Sequence, residues 1–472
     1  MSKMRINLFW DYLGRFSGIL TQFITSIFLS RLLLPEDFGV IGIALAVNGI
    51  AQVFSNFGFS SYIIQQEEEN QRTINTIFWF SIAIGLLLSV AIFLASPRIA
   101  IFYNMAELRN ILNITSVLIV LGIMSSVPSA LLLKRQEFKK INIRNIAIAL
   151  FSGSIGIFLA YRGFGVWALV TQQFIKSILS VVITFIIAKW RPRWIFDKVE
   201  FLKSYHFGKY IFLSGLFDGI YGRVEVFLIG KIFSLKSLGL YTRAQTLDQT
   251  ITGLSASSLL NVLFPELTKI KNDKEKLKTE YYKYFEHISF VFSLLSAGLY
   301  LVATPLFFYM FGENWIQSAL FFKILVLSGF AYPLASLMLS IIEARGNSKN
   351  FFYADVVKKL IFFPGYLVVY FYSLEAFLYT LLLLNALGTL VNLYYLNKEI
   401  LVGYKKSILI LFQYAVPSLI LAVVIDYFFP SNIEIISALI KVSVVVITFT
   451  VISYKTNSLT LTLILNFIKT KR

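Results

Sequence analysis

Long apolar blocks separated by short polar breaks recur along the whole chain, and they constrain the fold more than any other feature. A membrane-spanning helix needs roughly 20 mostly apolar residues, and the sequence contains fourteen blocks of about this length. Their approximate bounds are 8–33, 39–63, 75–95, 111–133, 143–161, 165–188, 210–233, 241–264, 288–310, 319–342, 353–373, 376–396, 408–429 and 433–454. The sequence therefore predicts an all-α integral membrane protein with about 14 transmembrane helices.

The composition removes most enzymatic chemistry from consideration. Hydrophobic residues make up 57% of the chain and charged residues only 14%, whereas about a quarter of a soluble domain is charged. The absence of Cys and the presence of only two His exclude disulfides, thiolate metal sites and a His cluster. Because no phosphate-binding G-x-x-x-x-G-K-[ST] motif occurs either, we expect neither an enzyme nor a bound cofactor.

The net charge of +18 would suggest nucleic-acid binding in a soluble protein, but in a membrane protein it has a topological explanation. With the N-terminus placed in the cytoplasm, 31 of the 43 basic residues fall in cytoplasmic segments, as the positive-inside rule requires. This distribution predicts that both termini are cytoplasmic and that nucleic acid is not a partner. The predicted outer loops are also too short to hold the catalytic site of a glycan polymerase.

A weak internal repeat appears when the chain is compared with itself at a spacing of 200 residues. Arg31-Leu-Leu33 falls on Lys231-Ile-Phe233, and Phe38-Gly-Val40 falls on Leu238-Gly-Leu240. Transporters are often built from such repeats, although two apolar sequences can also match by coincidence. The repeat predicts parallel six-helix lobes at 1–205 and 206–405, followed by two helices and a tail at 406–472.

Polar side chains recur at helical spacing within the first two spans of each predicted lobe. Ionisable groups are costly at bilayer depth, so such stripes are expected to face protein or a water-filled cavity. They predict a hydrophilic cavity between the two lobes. The candidate cavity residues are Arg15, Gln22, Asn48, Gln52, Asp218, Arg223, Glu225 and Asp248.

Two alternative interpretations of these polar residues remain open. The uncharged side chains can simply form hydrogen bonds between helices, and Asp218 or Glu225 can neutralise Arg15 or Arg223. Three further basic residues lie near the predicted outer ends of spans, where they can guide an anionic substrate or extend to lipid headgroups. These candidate outer-mouth residues are Arg31, Lys231 and Arg243.

Several motifs together resemble the polysaccharide transporter branch of the multidrug/oligosaccharidyl-lipid/polysaccharide exporter superfamily, particularly its colanic-acid and teichuronic-acid exporters. They are Gly163-Phe-Gly-Val-Trp-Ala-Leu-Val-Thr-Gln-Gln173, Trp190-Arg-Pro-Arg-Trp194, Leu228-Ile-Gly-Lys231 and Leu238-Gly-Leu-Tyr-Thr-Arg-Ala244. The likeness extends from the turn Leu34-Pro-Glu-Asp-Phe-Gly39 through Val262-Leu-Phe-Pro265. The resemblance implies a MATE-like fold, in which two six-helix repeats surround a central cavity and two C-terminal helices are added.

The same resemblance implies a function. It indicates a flippase that moves undecaprenyl-pyrophosphate-linked oligosaccharides, such as O-antigen, capsule or exopolysaccharide repeat units, across the bacterial inner membrane. We expect coupling to a proton gradient, a sodium gradient or the membrane potential, and polysaccharide polymerase and glycosyltransferases as partners. The alternatives are a cation-coupled multidrug exporter of the same superfamily and a non-catalytic component of a glycan-synthesis complex.

Overall fold

The computed structural model describes residues 3–430, 433–455 and 460; side chains are not described at 3–13, 15, 55–56, 210, 254–262 and 348. The described residues form seventeen α-helices and one short 3-10 helix, without any β-strand. The prediction of an all-α protein is therefore confirmed for this part of the chain.

The helices fall into two compact units, Met1–Gly239 and Leu240–Arg472. The first unit contains α1 (Lys3–Leu32), α2 (Pro35–Asn56), α3 (Phe59–Gln65), α4 (Gln71–Phe102), α5 (Ala106–Lys134), α6 (Phe138–Tyr161), α7 (Val166–Ala188), α8 (Lys198–Tyr221) and α9 (Val224–Ile232). Helix α10 (Leu235–Lys269) begins in the first unit and continues into the second. The predicted boundaries at 205 and 405 concern the sequence repeat and remain a prediction.

The second unit is formed by the rest of α10 and by seven further helices. These are α11 (Lys274–Phe311), α12 (Ile316–Gly329), α13 (Ala331–Ala344), α14 (Ser348–Phe371), α15 (Leu374–Ile400), α16 (Tyr404–Phe428) and α17 (Ile435–Lys455), with the 3-10 helix at Glu313–Trp315. Its core joins aromatic and aliphatic side chains of α11, α13, α15 and α16, including Tyr281, Phe285, Leu337, Leu396 and Tyr414. Burial of these large apolar side chains stabilises the unit apart from any lipid contact.

Every predicted apolar block coincides with one helix or with two consecutive helices. The blocks 39–63, 210–233 and 319–342 are each divided, by α2 and α3, by α8 and α9, and by α12 and α13. The first break contains Phe57 and Gly58, both with positive φ angles, of 40° and 67°, which a helix cannot accommodate. Short breaks of this kind leave the mean hydropathy of a block almost unchanged, so the sequence did not reveal them.

Ten segments of the described chain are long and apolar enough to cross a membrane. The protein is therefore a multi-pass membrane protein, as predicted. The four remaining blocks coincide with α1, with α8 and α9 together, with α10 and with α14. The crossing of all fourteen blocks remains a prediction.

Helix α11 has 38 residues. It begins after Asp273, whose side chain accepts a hydrogen bond from the backbone N–H of Lys276 at 2.9 Å and caps the helix. The segment 274–287 is rich in charged residues and tyrosine, and the apolar sequence starts at Ile288. At 1.5 Å per residue the helix is about 57 Å long, which exceeds the hydrocarbon thickness of a bilayer.

Candidate functional site

Arg223 occupies the break between α8 and α9 and is the clearest charged candidate within the predicted spans. Its guanidinium lies directly over Gly49 of α2: a Cβ atom added to Gly49 would be 2.3 Å from Nη2 and 2.5 Å from Nε. Nη1 donates a hydrogen bond to the carbonyl oxygen of Gly219 at 2.8 Å. Glycine at position 49 therefore makes the space that the guanidinium fills.

The half-buried Arg223 side chain makes no ion pair with any described residue; its hydrogen bond to Gly219 is the polar contact that holds it. Asp218 is exposed and Glu225 is half-buried, and neither neutralises Arg223. This geometry differs from the alternative in which a nearby carboxylate pairs with Arg223. The corresponding alternative for Arg15 concerns a side chain outside the described residues.

Three further cations of the first unit also lack an acidic partner within the described chain. Lys231 donates a hydrogen bond to the carbonyl oxygen of Phe102, and its Nζ lies 4.3 Å from the centre of that ring. Arg144 of α6 donates to Thr184 Oγ1 at 2.8 Å and to Ser129 Oγ at 3.3 Å. The third is Lys176, in the middle of α7. The sequence places Arg144 at the start of the apolar block 143–161, and the structure places it within α6.

Asn48 and Gln52 of α2 pack against α5. Asn48 is 2% exposed and its Nδ2 donates a hydrogen bond to the carbonyl oxygen of Thr115 at 3.0 Å. Gln52 lies over Gly122, where an added Cβ would be 3.2 Å from Nε2. Asn48 thus forms an interhelical hydrogen bond, as the alternative interpretation of the uncharged residues anticipated, whereas Gln52 remains exposed on the surface of the first unit, as does Gln22 on α1.

Asp248 borders a small pocket of the second unit together with Thr252, Ser296 and Gly329. A Cβ added to Gly329 would be 3.5 Å from Asp248 Oδ1 and 3.3 Å from the Thr252 methyl group. Oδ1 is buried and has no hydrogen-bond partner among the described residues. A buried carboxylate oxygen without a donor is energetically costly, so this position is a candidate for binding a proton or a cation.

Arg243 lies in an aromatic box in the second unit. Its guanidinium carbon is 5.1 Å from the ring centre of Phe311 and 5.2 Å from that of Trp315, and the residue is only 8% exposed. The guanidinium therefore does not extend to lipid headgroups, and the outer-mouth role of Arg243 stays a prediction. Arg31 and Lys231, by contrast, are exposed. The sequence pattern did not predict this aromatic box, because its two rings come from positions about seventy residues further along the chain.

The described residues contain no group of three or more His, Cys, Asp or Glu side chains that could hold a metal ion. The polar chemistry of the membrane helices in this part of the chain therefore consists of separate cations, amides and a few carboxylates.

Comparison with known proteins shows the family to which the chain belongs. Residues 28–320 match the family described as "Polysaccharide biosynthesis protein". A succinoglycan biosynthesis transport protein, ExoT of Rhizobium meliloti (strain 1021), is 23% identical over 75% of this chain and 71% of its own length. The lipopolysaccharide biosynthesis protein WzxC of Escherichia coli (strain K12) is 22% identical over 84% of this chain and 82% of its own length.

The fold is shared with solved transporters. The lipid II flippase MurJ in an inward closed conformation superposes with a TM-score of 0.72 at 18% identity, over 94% of this chain and 98% of its own. An inward-facing multidrug resistance MATE family transporter of the MOP superfamily gives a TM-score of 0.64 at 14% identity, over 81% and 94%. These likenesses confirm the predicted MATE-like fold class. Because the family match covers more than half of the chain, the protein belongs to the polysaccharide biosynthesis protein family, the polysaccharide branch of an exporter superfamily of transporters rather than enzymes.

Proposed function

We propose that this protein moves an undecaprenyl-pyrophosphate-linked oligosaccharide across the bacterial inner membrane by alternating access. The observation that carries the proposal is the position of Arg223 at a helix break inside a predicted span, over Gly49 and without an acidic partner among the described residues. A charge held at bilayer depth without neutralisation indicates a ligand of opposite sign.

The break itself supports an anionic ligand. Helix α9 begins at Val224, immediately after Arg223, and the first backbone N–H groups of a helix are not used within it. Transporters commonly bind substrate at such broken helices. Arginine adds a fixed positive charge and several donors, which match the oxygens of a pyrophosphate.

The other cations of the first unit that lack an acidic partner favour the same class of substrate. Arg144, Lys176 and Lys231 give its helices a positive character that suits a phosphate-bearing headgroup. An exporter of cationic drugs would instead need carboxylates at these positions. The relatives named for succinoglycan transport and lipopolysaccharide biosynthesis support a saccharide as the group that is carried.

The finer architecture belongs to the same proposal. We infer fourteen crossings with both termini in the cytoplasm, arranged as two parallel six-helix repeats around a central cavity with α16 and α17 added. Equivalent packing supports the repeat: Gln52 lies over Gly122 in the first unit, and Thr252, at the matching position, lies over Gly329 in the second. Both contacts join the second span of a repeat to its fourth.

Coupling to an ion gradient would use a carboxylate within the membrane. Asp248 is the strongest of the predicted candidates, because its Oδ1 is buried without a donor in the described part of the chain. A proton or a sodium ion at this oxygen would remove the cost of its burial. Asp218 and Glu225 remain further candidates, and the membrane potential can act directly on an anionic substrate.

A flipping assay with purified protein in proteoliposomes tests the assignment of Arg223. The vesicles contain an undecaprenyl-pyrophosphate-linked oligosaccharide with a fluorescent sugar, and a membrane-impermeant quencher reports how much of it remains outside. We expect Arg223→Gln to lower the initial rate at least tenfold, which corresponds to about 1.4 kcal/mol. Arg223→Lys should retain part of the rate, because it keeps the charge but loses the planar donors.

Two further variants sharpen this test. Gly49→Ala leaves the arginine in the chain but displaces its guanidinium, so it should reproduce the loss seen in Arg223→Gln. Arg98→Gln removes an exposed cation near the end of α4 and serves as the matched control with an unchanged rate. A wild-type rate in both Arg223→Gln and Gly49→Ala, at equal protein per vesicle, would contradict the proposal.

A further inference from the structure

The connector between α7 and α8, residues 189–197, is fixed to the first turns of α4 by several hydrogen bonds. The backbone N–H of Arg193 donates to Asn75 Oδ1 at 2.5 Å, and the backbone N–H of Asp197 donates to Thr76 Oγ1 at 2.9 Å. Trp190 Nε1 donates to Gln71 Oε1 at 3.1 Å. Asn75 and Thr76 are completely buried, so this segment has a defined shape despite its irregular backbone.

Three cations project from this connector beside an open pocket. Lys189, Arg191 and Arg193 have exposed side chains, which make no hydrogen bond or ion pair with the rest of the described chain. The pocket encloses about 1390 Å³ with its open mouth included, and its remaining lining comes from Gln71, Phe185, Ile186 and Trp190. None of the described residues that line it is acidic, so the pocket presents positive charge without internal neutralisation.

Aromatic side chains lie next to these cations. The Trp194 ring stacks on the Trp79 ring with their centres 3.7 Å apart, and Trp79 Nε1 donates to the carbonyl oxygen of Arg193 at 2.8 Å. Trp194 is nevertheless 86% exposed. An exposed tryptophan beside basic residues is unfavourable in water but suits the headgroup region of a bilayer, where the ring meets lipid and cations meet phosphate.

We propose that the connector binds the phosphate headgroup of an anionic phospholipid from the surrounding bilayer. The phosphate contacts the three connector cations, and the acyl chains lie along α7. The neighbouring surface is the reason for assigning a bilayer lipid rather than the transported one. Val182 and Ile186 of α7 are both exposed and form an apolar face that acyl chains can cover. The site is separate from the helix break at Arg223 and does not depend on the function proposed for that residue.

Tryptophan quenching by brominated lipid measures this binding. The full-length protein is reconstituted in phosphatidylcholine vesicles with increasing fractions of brominated phosphatidylglycerol, and the part of the signal lost in Trp194→Phe is assigned to Trp194. We expect this part to be quenched at a low fraction of the anionic lipid. Each single replacement, Lys189→Gln, Arg191→Gln or Arg193→Gln, should raise the half-saturating fraction about fivefold.

A matched control removes equal charge elsewhere. The single variants Lys271→Gln, Lys274→Gln and Lys276→Gln each change one exposed lysine at the start of α11 or in its preceding turn, and each should bind phosphatidylglycerol as the wild type does. Because the three connector side chains are exposed and make no polar contacts with the described chain, their variants should elute and unfold like the wild type.

Three results with lipids would overturn the proposal, and a fourth with inorganic phosphate would do so too. One is equal quenching by brominated phosphatidylcholine, which would show no headgroup preference. Another is unchanged quenching in the three connector variants. The last is displacement of phosphatidylglycerol by an undecaprenyl-pyrophosphate-linked oligosaccharide, which would assign the site to the transported lipid. Inorganic phosphate added to the vesicles should leave quenching unchanged, and full competition by it would equally contradict a lipid site.

Discussion

Gly39 and Gly239 form a reciprocal backbone crossing between the starts of α2 and α10. A Cβ atom added to Gly39 would lie 2.2 Å from the carbonyl oxygen of Leu235, and one added to Gly239 would lie 1.7 Å from that of Pro35. The four positions are related by the same 200-residue offset as the sequence repeat. Each helix therefore presents a glycine to the other at the equivalent position, and neither contact has room for a side chain.

We expect Gly39→Ala and Gly239→Ala each to destabilise the protein by about 1–3 kcal/mol, the usual cost of overpacking. The obstructing atoms are backbone oxygens, which cannot move away as a flexible side chain would. Thermal unfolding in detergent, followed by tryptophan fluorescence, measures the effect. Gly253→Ala on α10 is the control, because no described atom lies near its added Cβ, and equal midpoints in all three variants would contradict the prediction.

Two arginines make equivalent connections in the two units. Arg135, which follows α5, donates from Nη1 to the carbonyl oxygen of Ala188 at 2.6 Å. Its Nε and Nη2 form a bidentate ion pair with the Glu69 carboxylate. Arg345, which follows α13, donates from Nη1 to the carbonyl oxygen of Lys271 at 2.8 Å and from Nε to Glu399 at 3.3 Å. Each arginine ties the loop after the second span of its repeat to the end of the sixth.

Replacing either arginine should increase local opening only in the unit that contains it. In Arg135→Ala, hydrogen exchange should become faster in residues 66–70 and at the end of α7. In Arg345→Ala, it should become faster in residues 270–273 and at the end of α15. Exchange measured by mass spectrometry on the purified protein distinguishes the two patterns, and faster exchange spread evenly over both units in either variant would refute a local connection.

The Glu69–Arg135 pair also predicts a pH dependence. The hydrogen bond from Arg135 lowers the pKa of Glu69 from its ordinary value of 4.5, so the carboxylate stabilises the folded state above that value. This contribution is lost as the pH falls through the lowered pKa. Because both side chains are partly exposed, we expect less than about 1 kcal/mol.

The comparison of wild type with Glu69→Gln isolates this contribution. Their difference in free energy of unfolding should be present at neutral pH and should vanish at an acidic pH below the lowered pKa of Glu69, where the wild-type carboxyl group is also neutral. Denaturant unfolding at several pH values provides the measurement. A difference in free energy of unfolding that stays constant down to that pH would show that Glu69 contributes through packing and not through its charge.

Asp426 forms ion pairs with two lysines in the second unit. Its Oδ2 is 2.5 Å from Lys323 Nζ and its Oδ1 is 3.9 Å from Lys441 Nζ, and all three side chains are largely buried. Asp426→Asn would leave both cations without this carboxylate and should cost about 3–5 kcal/mol. Lys441→Met should cost much less, because it leaves the shorter pair intact. Thermal unfolding tests this order, and a reversed order would contradict it.

The structural features that the sequence predicted are those that depend on composition and residue spacing. The fourteen apolar blocks reappear as helices, and the offset that aligned Phe38-Gly39 with Leu238-Gly239 is matched by the reciprocal contact of the two glycines. Such features are local or repeated, so they leave a pattern in one dimension. The likeness to exporters of the superfamily was also evident from short motifs and is supported by the family match.

The sequence could not predict contacts that join distant positions. Nothing near Arg243 indicates Phe311 and Trp315, which bury it, and nothing near Arg223 indicates that Gly49 makes room for its guanidinium. Asn48 likewise had the spacing of a cavity residue, yet it bonds to a carbonyl group of α5. In each case the partner is set by helix packing, which residue spacing does not encode.

The length of α11 has a consequence outside the bilayer. A helix of 38 residues is about 57 Å long, and a hydrocarbon core of about 30 Å cannot enclose it. Its first turns, from Lys274 to His287, therefore add about 21 Å of helix beyond the apolar segment, and Tyr281 and Phe285 pack this part into the core of the second unit. A soluble protein that approached the membrane here would meet this folded projection before it reached the lipid.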